Sequence, residues 1–132
     1  MKTKGLFLFI LLTGTIIVNA QNGNFHQRTV EERVKAAHEK LDSIFKFDAV
    51  KQTKIDSAFA TYFRDQDKIR EELRSLGERP DRETVMAKMQ PAIETRDKEL
   101  KAILSESEFK KWKEEIEPAM MHRRGGGGGN KQ

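Results

Sequence analysis

The chain has 132 residues, with 25 Lys and Arg against 21 Asp and Glu, a formal net charge of +4, and no Cys. So near a balance argues against a nucleic-acid binder held by phosphate contacts, and the lack of Cys excludes thiol catalysis, disulfides and cysteine-ligated metals. With 35% charged and 36% apolar residues, the chain can line a seam between helices but cannot build a deep core, and thin proteins of this kind complete their burial by pairing.

Lys2 and Lys4 precede an apolar run from Leu6 to Val18, and Val18-Asn19-Ala20 follows with the modest residues that a signal peptidase reads. This layout predicts a secretory leader over 1–20, cleaved after Ala20. Its apolar part is about thirteen residues, short of the roughly twenty that span a bilayer. The expected mature chain therefore works in the periplasm, without stable membrane insertion, where ATP and nicotinamide cofactors are scarce. Residues 21–28 are polar and aperiodic, and a flexible N-terminal segment is expected there.

Thr29 and Glu32 spell a capping box. Val30, Val34, Ala37, Leu41 and Ile44 then make a narrow apolar seam, predicting a helix from about 30 to 46. Asp48 caps a second helix, from about 49 to 76. Its seam is Ile55, Phe59, Tyr62, Gln66, Ile69, Leu73 and Leu76, interrupted only at Gln66. At 1.5 Å per residue this helix is about 40 Å long. Gly77 suits the left-handed position after a helix, and the short link through Pro80 predicts an antiparallel return.

Asp81 caps a third helix, from about 82 to 104, with the seam Met86, Met89, Ile93, Arg96, Leu100 and Ile103. Pro91 inside it should bend it near Ala87. Ser105 and Glu108 form another capping box. A fourth helix follows, from about 106 to 117, with Phe109, Trp112 and Ile116 on one stripe. Pro118 should weaken or end it, although residues 119–123 can continue helically. Residues 123–132 are a glycine-rich tail expected to be disordered. The fold class is all-α, with one helical domain over 29–122.

The most telling local pattern is a repeated helix start. Phe47-Asp48-Ala49-Val50-Lys51 enters the second helix and Leu104-Ser105-Glu106-Ser107-Glu108 enters the fourth. Each has an apolar residue, a capping residue, two variable positions and a long polar residue. Each also reads as an ordinary helix cap. In the first copy Lys51 cannot accept a hydrogen bond, so half of that box is missing.

With these two pentapeptides, the leader, the helix order and the basic glycine tail, the chain resembles the Spy/CpxP family of periplasmic proteins, whose signature is two LTxxQ motifs. The resemblance covers roughly residues 30–122. It implies bent antiparallel helical hairpins, flanked by shorter helices, that pair into thin cradle-shaped homodimers. It also implies an ATP-independent chaperone that binds unfolded or misfolded envelope proteins and limits their aggregation under envelope stress. The alternative is an envelope-stress regulator, or a metal-responsive sensor, acting on a membrane signalling partner.

A surface of long charged side chains with scattered apolar groups can attract an unfolding client and cover it weakly. Methionine suits such work because it adapts to irregular partners. Met86, Met89, Met120 and Met121 are candidates for client contact, with Phe63 beside the second seam. Met86 and Met89 equally suit the seam as fillers. The only histidines are His26, His38 and His122. His38 and Asp42 share a helix face and could hold one ion between them, and Met120-Met121-His122 would suit soft copper, but four ligands are not visible. His38-Glu39-Lys40-Leu41-Asp42 begins like a zincin helix and fails at Asp42. No phosphate loop or nucleophile elbow occurs, so neither catalysis nor a cofactor is expected.

Overall fold

In the computed structural model the described residues are 27–122, with the side chain of His122 left aside. The leader, most of segment 21–28, His26 and the tail at 123–132 lie outside them. Every regular element among the described residues is helical. Helix α1 spans Val30–Phe45, α2 Ala49–Ser75, α3 Arg82–Ile103, α4 Glu106–Lys111 and α5 Glu117–His122. A five-residue π-turn, Trp112–Ile116, joins α4 to α5, so the fourth predicted helix is one rod in three pieces.

Local chemistry sets where these helices start. The Thr29 hydroxyl accepts from the Glu32 amide, and the Glu32 carboxylate accepts from the Thr29 amide, closing the predicted box. Asp48 accepts from the Lys51 amide at 2.9 Å, and Asp81 from the Thr84 amide at 2.7 Å. The bonds from Thr84 hold the Asp81 carboxyl below its ordinary value. Gly77 ends the α2–α3 link's first step with φ +72, as its position predicts. Lys46 takes a left-handed φ of 52 after α1, which glycine would adopt more easily. That turn stacks Phe45 on Phe47, with ring centres 4.9 Å apart.

Helix α2 is the axis of the molecule, with α1 packed on it at one side and α3 at another. Contacts run in opposite senses along the chain: Arg33 meets Asp67 while His38 meets Asp56, and Glu72 meets Lys88 while Tyr62 meets Arg96. Neighbouring helices are thus antiparallel. The core unites Ala37 and Leu41 of α1, Ile55, Phe59 and Tyr62 of α2, and Leu100 of α3. Trp112 and Ile116 of the π-turn close it, the indole meeting Phe59 edge-on at 5.3 Å. Full burial of each such side chain contributes roughly 1.5–3 kcal/mol.

Two readings change. Leu76, predicted in the α2 seam, is 60% exposed, and Met86, predicted in the α3 seam, is 50% exposed. At Pro118 the last helix continues, through Glu117–His122, as the sequence from Ala119 allows. Pro118 has no N–H for the Glu114 carbonyl, and the preceding turn widens to the π form, where the Glu117 N–H bonds the Trp112 carbonyl. Pro91 likewise lies within an unbroken α3; it and Ala87 are both exposed, so water can serve the carbonyl left without an amide.

Candidate functional site

The two helix starts that share a sequence pattern are neighbours in space. Both caps form as predicted: Ser105 Oγ accepts from the Glu108 amide at 3.2 Å, and Glu108 Oε2 accepts from the Ser105 amide at 2.8 Å. The same Glu108 oxygen lies 2.6 Å from Lys51 Nζ. Lys51, unable to complete its own capping box, thus pairs with the residue at the equivalent position of the other copy. Its ammonium also sits 4.6 Å from the centre of the Phe47 ring. Partial burial works against the charged Glu108 carboxylate, but hydrogen bonds from Lys51 and the Ser105 amide, with the Lys51 charge, outweigh it and hold its pKa low. Leu104 is buried in the core and Asp48 is exposed at the α2 tip. All six motif residues therefore gather at one end of the bundle, joined by the ion pair.

A second polar cluster lies at mid-bundle, and the sequence-based reading missed its meaning. Arg96 is 3% exposed and donates to Asp97 and to the buried Glu117. Its guanidinium covers Tyr62 at 4.6 Å and Trp112 at 5.4 Å. Lys113 bridges Asp97 at 2.9 Å and Glu117 at 2.5 Å. Burial lowers the pKa of both cations, yet the flanking carboxylates more than reverse it and hold each above its ordinary value. Arg33 does similar work between α1 and α2: it covers Phe63 at 4.9 Å, donates to Gln66 at 3.5 Å and pairs with Asp67. Gln66 is no interruption, since it donates to the Tyr62 hydroxyl at 2.7 Å inside the core. The available signal was position alone: Arg33, Ala37 and Leu41 recur at intervals of four on the seam.

The candidate contact residues divide. Phe63 is 6% exposed and belongs to the core, where it touches Phe59 and Tyr62, so it presents no client surface. Met89 and Met120 are partly buried against the core, as fillers would be. Met86 and Met121 are about half exposed, at 50% and 53%. An open groove between α1 and α2 has apolar Val30, Val34 and Ala60 beside Lys35, Glu39 and Arg64.

His38 and Asp42 each meet another partner. Its Nδ1 lies 2.8 Å from Asp56 Oδ2 on α2, and Asp42 lies 3.6 Å from Lys46. Among the described residues no group of three or more His, Asp or Glu side chains is placed to hold a metal ion. Among them, too, no helix is long and apolar enough to cross a membrane. No family model, curated protein or solved structure matches the chain.

Proposed function

We propose that this chain is an exported, Spy/CpxP-like chaperone that holds unfolded envelope proteins without ATP. The observation that carries the reading is the meeting of the two motif copies through Lys51 and Glu108. The antiparallel order of the helices brings both starts to one end, and there the long polar residue of each copy meets the other. The surface supports the same reading. Large apolar groups stand exposed singly among charges, at Val50, Leu76, Met86 and Met121. Such a surface covers an exposed apolar segment weakly and lets it go as the client folds, with no nucleotide needed. The mixed-charge groove between α1 and α2 offers a longer track for an extended segment.

The working form in this proposal is a periplasmic homodimer, a bent hairpin paired into a thin cradle, released from its leader after Ala20. The test is aggregation of several chemically unfolded proteins, followed by light scattering with near-stoichiometric chain and no ATP. Suppression across unrelated clients is the expected result. Suppression of none, with tight binding to a single sensor protein, would replace the chaperone by a regulator.

A further inference from the structure

We propose that the motif end of the bundle docks on an anionic membrane surface. Segments 44–54 and 101–111 meet there, and every basic residue in them is a lysine: Lys46, Lys51, Lys54, Lys101, Lys110 and Lys111. Within these segments Asp48, Glu106 and Glu108 oppose them, and Asp42 of α1 lies 3.6 Å from Lys46. Glu108 pairs with Lys51 and Asp42 with Lys46, which leaves Lys54, Lys101, Lys110 and Lys111 against Asp48 and Glu106. The remaining described residues carry more Asp and Glu than Lys and Arg, so positive charge is concentrated at this end.

Aromatic rings are interleaved with these lysines. Lys51 lies 4.6 Å from Phe47, Lys101 lies 5.1 Å from Phe109, and Lys111 lies 5.9 Å from Phe45. The stacked Phe45–Phe47 pair and the Lys51–Glu108 bridge join the three contacts into one surface. Val50, 68% exposed, stands beside Lys51 as its apolar point. Helix ends do not supply the charge, because the starts of α2 and α4 and the finishes of α1 and α3 share this end and their dipoles oppose.

Chemistry favours lipid headgroups over an acidic polypeptide. Bidentate recognition of carboxylates favours the planar fork of arginine, and this end has none. Lysines act as flexible point charges and suit a diffuse layer of phosphates, with exposed Val50 to enter the headgroup zone while the rings brace the lysines from the core side. The inference stands on this patch and not on the chaperone reading.

The experiment is co-sedimentation of the purified chain, as the cell processes it, with vesicles of phosphatidylcholine alone or with phosphatidylglycerol added. Binding should require the anionic lipid and fall with salt. Lys110→Gln with Lys111→Gln should weaken it roughly tenfold or more, from the known contribution of each lysine near such a surface. Lys35→Gln with Lys68→Gln changes net charge equally, at exposed sites away from this end, and should weaken it less than about twofold. Circular dichroism confirms that both variants keep their helices. Equal loss in the two variants, or no preference for anionic vesicles, overturns the proposal. Tighter binding to polyglutamate than to the vesicles overturns it in favour of an acidic polypeptide.

Discussion

Ser105 and Ser107 lie two residues apart and do different work. Ser105 Oγ accepts from the Glu108 amide, whereas Ser107 Oγ lies 3.2 Å from Ser105 Oγ and accepts from no amide. Ser105→Ala should therefore destabilise by roughly 1 kcal/mol, and Ser107→Ala by much less. Urea melts of the two variants check this; equal midpoints would deny the cap its role. Glu108 adds a pH signature. Its folded pKa is depressed by Lys51 and the Ser105 amide against the cost of burial. A depressed carboxylate contributes stability above its unfolded pKa and loses it as pH falls through the folded value. Parent and Glu108→Gln should thus differ most near neutral pH, by up to about 1 kcal/mol, and converge between about pH 5 and pH 3. Thermal melts across that range test the sign. A difference that grows in acid would contradict the ion pair.

At the scale of elements, helix starts were legible because caps are local. Thr29, Asp48, Asp81 and Ser105 each bond an amide three residues on, so a short window contains the cause. The first three helices end within one residue of their predicted limits. The inward turn of Glu117 was not legible, because its partner is far away in sequence. Glu117 turns inward to meet Arg96, 21 residues earlier, while Pro118 removes the next amide. Arg96→Met should cost roughly 3–5 kcal/mol, since it leaves Glu117 buried with only Lys113 beside it. Arg96→Met with Glu117→Leu should cost less than Arg96→Met alone, because no buried charge is then left unmatched. Denaturant midpoints of the single and double variants decide the matter. A double variant as damaged as the sum of its singles would show that the two residues act separately.

For the whole molecule, seam periodicity identified the core of α2 and α3 but not its extent. Leu76 and Met86 continue the stripes in phase, yet both are exposed. The reason is non-local: α1 has 16 residues against 27 in α2, so it cannot cover α2 along its full length. Periodicity reports which face a residue occupies and not whether a neighbour reaches it. The same gap explains Phe63, which is one step off the stripe but is covered by Arg33 of α1. The pairing of Lys51 with Glu108, across 57 residues, was equally out of reach. What was legible was the shared pattern of the two helix starts, and the structure places them together. The function proposed from that pattern concerns one choice, between unfolded and folded partners. Titration calorimetry of the chain with one client, held permanently unfolded or left native, measures that choice directly. Binding to the unfolded form at least about tenfold tighter than to the native form, without nucleotide, is the predicted result. Equal affinity for both forms, or no binding to the unfolded form of any of several clients, would contradict it.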